Sequence, residues 1–382
     1  MYELGFSRLA LRLRRALAAA LLLVVAAPAL CASPVQADVS PRLAAGRVDE
    51  FRNVPDFHDE FNQLLEQQRQ PEWFGYAVPA VDGQRRICCF SLPDPGSGVC
   101  RLERNRGVAI TAAPSLKNGI KPQIFILYRI ENGRLTDLRT FTPDCQLDPG
   151  DVKLVWYTDV TPRVSIELLT DLVLRNSREL DAKSRGSRRI RPKDIVERAI
   201  IAIALHDSPT ADAALEALLS EGFPLDVRAH AAYWLAEARG RTGYERVRRL
   251  VREEKSGVAR ERFVFALSAS HDEHVIQDLI RTGLKDRSGA VRAQALFWLA
   301  QRAPDGCRNV LHEAIDSDPD PAVKEKAIYA LSQLPGNKGI PILIELARSH
   351  PDRRVRERTT FWLSQSRDPR AIEFFEQSAV TR

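Results

Sequence analysis

A strict repeat of 32 residues is the feature that most constrains how this chain folds. Five residue pairs recur at that spacing without insertion or deletion: Trp234-Leu235, Ala266-Leu267, Trp298-Leu299, Ala330-Leu331 and Trp362-Leu363. Two further columns keep the same step: Val227, Ala259, Val291, Val323 and Val355, and beside them Arg228, Arg260, Arg292, Lys324 and Arg356. A fixed period of this length is typical of architectures in which each unit buries its apolar face by stacking on its neighbours.

Each repeat predicts two helices. Between Ala322 and Leu334 the apolar residues follow a spacing of three and four, which places them on one face of a helix. A second apolar column falls in the other half of each unit: Leu215, Val247, Leu279, Leu311, Leu343 and Phe375. Stepping back one period reaches Ile195, so about six units fit. We predict an all-α superhelical solenoid of helical hairpins over residues 194–378.

The repeat resembles a known family. The second helix of each unit reads Val-Arg-x-x-Ala-x-x-Ala/Trp-Leu and follows an Asp/Pro turn, as in residues 316–321. This pattern resembles the HEAT repeat in its short, phycobilisome-lyase-type form, and the whole layout resembles secreted bacterial HEAT-repeat proteins. The resemblance implies an α-solenoid whose second helices line the concave side and bind other macromolecules. Lyase activity is not implied, because no residues match a catalytic site.

An aromatic residue occupies one position of every second helix. This position lies six residues after the Val column, roughly 120° behind the buried stripe at about 100° per residue. The candidate partner-binding residues are Tyr233, Phe265, Phe297, Tyr329 and Phe361, with Arg262, Gln301, Gln333 and Gln365 beside them. Rings and amides suit an extended peptide or protein. The alternative is that the rings pack sideways against the next unit.

Two neighbouring columns favour structural roles. Trp234, Trp298 and Trp362 follow the aromatic position by one residue, so we expect them to pack between repeats inside the buried stripe. The Arg column lies near acidic turn residues, namely Asp226, Asp286, Asp320 and Asp352. An internal ladder of Arg to turn carboxylates would fix the angle between units. A binding role for these arginines is the alternative.

Residues 1–37 have the three parts of a secretory signal peptide. Four arginines precede an apolar stretch over residues 16–30, and Val35-Gln36-Ala37 forms an A-x-A-like site. We predict cleavage after Ala37, a periplasmic or secreted location, and no membrane association afterwards. A retained anchor is disfavoured because the stretch is short and contains Pro28. Cleavage lowers the formal charge of +6 to +3, so we expect no nucleic-acid partner.

Four cysteines cluster before residue 150, and export favours disulfides over free thiols. They are Cys88, Cys89, Cys100 and Cys145. Adjacent residues of a strand point to opposite faces, so Cys88 and Cys89 are expected to take different partners, one bridge reaching Cys100 and the other Cys145. A zinc site is the alternative, but Cys-x-x-Cys knuckles are missing. The distant Cys307 is expected to be a buried core residue.

Residues 38–174 predict a small antiparallel sheet with helices at both ends. Helical spacing covers residues 48–70 and 162–174, and strand patterns cover residues 74–78, 85–90, 108–111, 123–130, 135–141 and 153–157. Asn132-Gly133 between two of these runs predicts a hairpin. The fold class is therefore α+β overall: a disulfide-stapled β-rich domain followed by the solenoid. The basic residues 175–193 read as a solvated linker, with polyanion binding as the alternative.

No enzyme signature stands out in the sequence. Phosphate-binding loops, dinucleotide fingerprints and His-Glu-x-x-His are absent, and His271-Asp272-Glu273-His274 reads as a solvated turn. We therefore predict no catalytic residues, no metal and no cofactor. The expected function is a non-catalytic scaffold, exported from the cytoplasm, that binds a protein or peptide on the concave face. The alternatives are an enzyme or enzyme-maturation factor in the amino-terminal domain, and polyanion recognition; oligomeric state is not predicted.

Overall fold

The computed structural model describes residues 40–44, 47–82, 85–89, 99–104, 108–112, 122–178 and 191–380. The predicted signal peptide, the Pro-Gly loop at 91–98 and residues 179–190 of the predicted linker lie outside these ranges. The chain divides into two compact units between Trp234 and Leu235. Among the described residues, no helix is both long enough and apolar enough to span a membrane.

The strand-rich part of the first unit is built on a five-stranded sheet. The strands are β1 (Glu50–Asn53), β2 (Glu72–Pro79), β3 (Arg85–Cys89), β4 (Val99–Arg101), β5 (Val108–Ala112), β6 (Gln123–Glu131), β7 (Arg134–Phe141), β8 (Gln146–Asp148) and β9 (Lys153–Thr158). The main sheet has the order β1-β9-β2-β6-β7, while β3 pairs with β5 and β4 pairs with β8.

The hairpin predicted at Asn132-Gly133 is confirmed. Both residues have positive φ, 51° and 68°, which is the geometry of a two-residue type I′ turn between β6 and β7. The sheet as a whole is mixed rather than purely antiparallel, because β9 runs parallel to both β1 and β2. Between β7 and β9 the chain passes from one edge of the sheet to the far side of β2, where β9 lies. Residues 50–53, expected as helix, form the edge strand β1.

Both faces of the main sheet are buried, because successive side chains point to opposite sides. On one face, Phe57 and Phe61 of helix α1 (Phe57–Gln67) pack against Tyr76 and Tyr128. Helix α2 (Pro162–Ser177) begins at the N-cap Thr161 and buries its apolar residues in the same unit. The opposite face carries a cluster that contains Trp73, the cystines and several other apolar side chains.

Twelve further helices follow in the described part of the chain. They are α3 (Pro192–Leu205), α4 (Pro209–Leu218), α5 (Leu225–Ala238), α6 (Gly240–Glu253), α7 (Gly257–Ala269), α8 (Val275–Lys285), α9 (Gly289–Arg302), α10 (Arg308–Ser317), α11 (Pro321–Ser332), α12 (Ile340–Ser349), α13 (Arg353–Ser364) and α14 (Pro369–Val380). In the second unit the second helices α7, α9, α11 and α13 pack directly on one another. The predicted stripe is buried there, as Val291, Ala295 and Leu299 show.

Helix α3 packs against α2 and β7 within the first unit. It is buried on several sides, because apolar residues surround most of its circumference. Residues 175–177 belong to the last turn of α2, and residues 192–193 to the first turn of α3. The first compact unit extends to Trp234 and so contains α3 and α4 as well as the strand-rich part.

A buried polar chain links the sheet to α2 and α3. The hydroxyl of Tyr76 contacts that of Tyr128 at 2.8 Å and Oγ of Ser165 at 2.6 Å, and Nε2 of His206 lies 2.9 Å from the same Oγ. Nδ1 of His206 lies 2.7 Å from the carbonyl of Ala202. Burial raises the pKa of Tyr76. All four side chains are buried, and their hydrogen bonds connect the sheet to α2 and to the end of α3.

Candidate partner-binding surface

Six aromatic rings of the second unit form a continuous row that we call the ring ladder. Its members in order of contact are Phe265, Trp298, Phe297, Tyr329, Trp362 and Phe361. Neighbouring ring centroids lie 4.9 Å to 5.9 Å apart, within the range of favourable aromatic pairs. The rings come from α7, α9, α11 and α13, so the ladder crosses four successive second helices.

The ring ladder packs between repeats and still leaves apolar surface at its ends. Phe265 is 40% exposed and Phe361 is 46% exposed, while Phe297 and Tyr329 are half-buried. The rings of Phe297 and Tyr329 are nearly parallel, at 10°. The rings therefore pack against the next repeat, as the alternative in the sequence analysis proposed. This packing leaves the ring ladder partly exposed.

Two cations lie over the rings. The ammonium of Lys326 is 4.7 Å from the centroid of Phe297 and 5.1 Å from that of Tyr329, so it faces both stacked rings. The guanidinium of Arg358 lies 5.8 Å from the Phe361 centroid and pairs with Glu325 at 2.6 Å. Cation–π contacts of this kind hold the ring faces in fixed orientations and add positive charge to the surface.

The glutamine column lies one helical turn beyond the rings. Gln301, Gln333 and Gln365 are all exposed. The amide nitrogen of Gln333 donates to Oγ of Ser332 at 3.1 Å, and Ser332 donates in turn to the carbonyl of Tyr329. Gln365 and Ser364 repeat the same arrangement on α13. The serines orient these amides while leaving their carbonyl oxygens able to accept.

The remaining predicted site residues take different positions. Arg262 is exposed on α7. Tyr233 lies in the first unit and makes an edge contact with Trp234, whose side chain is buried as expected. Trp298 and Trp362 pack between repeats as predicted, but they are half-buried members of the ring ladder rather than residues of the buried stripe. They contact the aromatic residue of the preceding repeat, which lies 33 positions earlier.

Two members of the Arg column pair with turn carboxylates, and Arg228, Lys324 and Arg356 donate to backbone carbonyls. Arg260 holds Asp286 through two hydrogen bonds of 3.0 Å, and Arg292 holds Asp318 through two of 2.7 Å. Both arginines also donate to carbonyls of the turn before their own helix. Asp320, which the sequence favoured as a partner, instead caps α11. Arg260 and Arg292 are therefore structural links between consecutive units.

Burial and hydrogen bonding shift the pKa of Asp318 in opposite directions in the Arg292–Asp318 pair. Burial alone would raise the pKa of Asp318, but its hydrogen bonds with Arg292 outweigh that effect and hold the pKa below the ordinary carboxyl range. The same hydrogen bonds raise the pKa of Arg292. The side chains are only 6% and 11% exposed. A bidentate pair in so dry a place fixes the geometry between repeats.

The polar clusters noted in the sequence make local ion pairs. His274 and Arg241 both contact Asp272, at 2.9 Å and 3.1 Å, and His271 lies 3.3 Å from Glu237. Within the ranges that the structure describes, no three His, Cys, Asp or Glu side chains are grouped closely enough to hold a metal ion.

The four clustered cysteines form two disulfides in the strand-rich unit. Cys88 bonds to Cys145 and Cys89 bonds to Cys100, so the adjacent cysteines take different partners as strand alternation predicts. The disulfide-stapled β-rich fold is thereby confirmed. Cys307 is buried, and burial raises the pKa of its thiol.

Stacked helical hairpins with a fixed period define a helical-repeat solenoid protein. Residues 276–364 match the family profile of HEAT repeats. Residues 276–364 are therefore HEAT repeats, the repeat type that the sequence pattern resembles. HEAT repeats generally mediate protein interactions. No curated protein matches the chain.

Three solved structures are similar to parts of the chain. TOG3 of Drosophila melanogaster Mini spindles is 15% identical, with 55% of this chain and 90% of that chain covered, at a TM-score of 0.29. Human deoxyhypusine hydroxylase in complex with glycerol is 14% identical, covering 58% and 85%, at 0.24. Legionella pneumophila aminopeptidase A in complex with aspartic acid is 11% identical, covering 77% and 39%, at 0.32. The assignment rests on the family match.

Proposed function

We propose that this protein is a non-catalytic scaffold, exported from the cytoplasm, that binds an extended protein segment along the ring ladder. One observation carries this proposal: ring-to-ring contacts continue across four second helices while the terminal rings stay 40% and 46% exposed. A contiguous apolar strip rimmed by polar groups is typical of interaction surfaces. HEAT repeats in general mediate protein interactions, which supports the same class of function.

The chemistry of the strip suits an extended backbone. Packed helices lie about 8–10 Å apart and an extended chain advances about 3.3 Å per residue, so each repeat spans roughly three residues of a bound segment. The rings would contact apolar side chains of that segment. The exposed amides of Gln301, Gln333 and Gln365 would exchange hydrogen bonds with its backbone.

Export is supported by two separate features. The first 37 residues have the pattern of a secretory signal, and the strand-rich unit contains two disulfides. Disulfides persist in oxidising compartments and are rare where glutathione keeps thiols reduced. A periplasmic or secreted location fits both features, with the partner drawn from the same compartment.

Site-specific photo-crosslinking tests the proposal. A photoreactive phenylalanine analogue is placed at Phe297 or Phe361 in the full chain and irradiated in cells that export it. The control carries the analogue at Ile372 on α14, an apolar position that is 51% exposed and lies off the ladder. We expect the ladder positions to give the same discrete partner adduct and the control position to give none. Equal labelling at all three positions would contradict the proposal.

A substitution separates binding from stability. Phe297→Ala with Tyr329→Ala is expected to abolish the adduct formed through Phe361. The expected stability loss is only about 1 kcal/mol, equivalent to roughly 3 °C in Tm, because both rings are half-buried. Ile372→Ala is the matched control and should keep the adduct. If the Tm of the double variant falls by tens of degrees, the ring ladder is part of the core rather than a binding surface.

A further inference from the structure

A buried guanidinium faces one of the two disulfides. The Arg139 side chain is 2% exposed, and its Nη1 lies 3.8 Å from Sγ of Cys89 and 3.9 Å from Sγ of Cys100. Nε and Nη2 of the same group donate to Asp137, and the guanidinium lies over the ring of Trp73. The face of the guanidinium is thus covered, two of its nitrogens bond to a carboxylate, and the third points at sulfur.

The guanidinium of Arg139 is held in place beside this disulfide. Asp137 accepts hydrogen bonds from Arg139 and also from Arg198 of α3. The side chain of Asp137 is 13% exposed, which limits screening by water. A thiolate formed at either sulfur would accept a charge-assisted hydrogen bond from Nη1 of Arg139.

The two sulfurs of the facing disulfide differ in access. Cys89 is half-buried, whereas Cys100 is fully buried. The second disulfide has no such asymmetry, because Cys88 is 7% exposed and Cys145 is fully buried in the apolar cluster. An incoming thiolate can approach Cys89, and the leaving sulfur would then be Cys100, beside Arg139. Disulfides exchange fastest when the attacked sulfur is accessible and the leaving thiolate is stabilised.

We infer that Cys89–Cys100 is an exchange-competent disulfide whose substrates are protein or peptide dithiols, while Cys88–Cys145 is structural. A substrate thiolate attacks Sγ of Cys89, the Cys89–Cys100 bond breaks, and its electron pair stays on Cys100 as a thiolate facing Arg139. The second substrate thiolate attacks the substrate sulfur of this mixed disulfide and releases Cys89. The substrate leaves as a disulfide, and two electrons have passed to Cys89 and Cys100. This activity goes beyond the proposed function: the ring ladder is the non-catalytic binding surface, and the exchange belongs to the strand-rich unit and does not require that surface.

Selective reduction of the folded protein is the first test. The full chain is treated with dithiothreitol as the model dithiol, quenched with iodoacetamide at intervals, and analysed by peptide mass spectrometry while circular dichroism follows the fold. We expect Cys89 and Cys100 to become alkylated at least about tenfold faster than Cys88 and Cys145, because only their leaving thiolate is stabilised. Equal rates, or labelling only after the fold is lost, would overturn the inference.

The role of Arg139 is tested by Arg139→Met, which keeps much of the side-chain volume and removes the charge. The rate of Cys89–Cys100 reduction should fall severalfold, because Cys100 loses its positive neighbour and a leaving thiol of higher pKa departs more slowly. An unchanged rate would remove Arg139 from the mechanism. If Arg139→Met does not fold, a measurement on the wild-type protein still tests the inference. The thiolate absorbance of the reduced, folded protein should contain one component that titrates below the ordinary thiol range near 8.5, and the absence of any such component would refute the inference.

Discussion

The two compact units differ in where most of their aromatic side chains lie. In the strand-rich part of the first unit, Trp73, Phe125 and Trp156 are almost fully buried and fill the space behind the sheet. In the second unit Tyr244 and Phe263 are fully buried as well, but the repeated stripe consists of small and branched residues such as Val291 and Leu299. The six rings of the ring ladder lie beside that stripe and are half-buried or exposed.

The difference also extends to the links that hold each unit together. Covalent bridges join distant parts of the strand-rich unit, with 57 residues separating Cys88 from Cys145. The second unit instead repeats one ion pair, in which an Arg and an Asp are 26 residues apart, at Arg260 and at Arg292. Non-local strand pairing needs strong fixed links because its loop-closure cost is high, whereas stacked repeats close only short loops.

The largest expected effect comes from truncating a buried aromatic side chain of the main sheet. Phe125→Ala should lower the free energy of unfolding of the first unit by about 4 kcal/mol, the usual cost of truncating a buried Phe. Phe125 is fully buried and contacts Trp156 edge-on at 5.1 Å, so the cavity cannot easily close. Guanidinium unfolding followed by tryptophan fluorescence measures the change. Phe125→Leu is the control and should cost less than half as much; equal losses would contradict the cavity argument.

A repeat link should have the next largest effect. Arg292→Met is expected to cost about 3 kcal/mol, because it leaves the Asp318 carboxylate buried without its partner. Arg353→Met provides the matched control: Arg353 is 83% exposed and pairs with Glu357 one turn along its own helix. That surface pair should contribute less than about 0.5 kcal/mol. The same guanidinium titration is applied to both variants. Similar losses of unfolding free energy would show that the buried Arg292–Asp318 pair stabilises the fold no more than a surface pair does.

The Arg292 link also predicts how stability changes with pH. The pKa of Asp318 in the folded chain lies below its unfolded value, so the unfolded state binds more protons in acid. Stabilisation by the pair is therefore complete above about pH 4, the ordinary carboxyl range, and is lost as the pH falls through the folded pKa. The difference between wild type and Arg292→Met should stay constant from pH 7 to 5 and shrink below 4. A constant difference down to pH 3 would contradict this assignment.

The sequence predicted those parts of the fold whose physical cause is local. The solenoid followed from a period that no insertion interrupts, and the β6–β7 hairpin followed from Asn132-Gly133, since few residues tolerate positive φ at both positions. The parallel pairing of β9 could not be predicted in the same way. Its partners lie far away in sequence, and only the crossover after β7 sets its direction.

The candidate site was predictable in position but not in detail. Helical angle alone predicted that Phe265 and Phe361 lie away from the buried stripe, and both are exposed. It did not show that Trp298 and Trp362 would join them, because that depends on how far one helix slides along the next. The approach of Arg139 to the Cys89–Cys100 disulfide had no local signal at all. Arg139 reaches those sulfurs only because β7 packs beside the small β3–β5 pair.

The smallest expected effect comes from truncating Phe361, an exposed ring of the ring ladder, and it is compared directly with the truncation of the buried Phe125. Phe361→Ala removes a ring as large as Phe125, yet its cost should stay within about 0.5 kcal/mol, as for most surface substitutions. The Phe361 ring is 46% exposed, and the ring and cation near it, Trp362 and Arg358, belong to its own helix. Guanidinium titration measured beside Phe125→Ala gives the comparison directly. A loss above about 1.5 kcal/mol, the range of core truncations, would mean that the ladder's end is core and unavailable for binding.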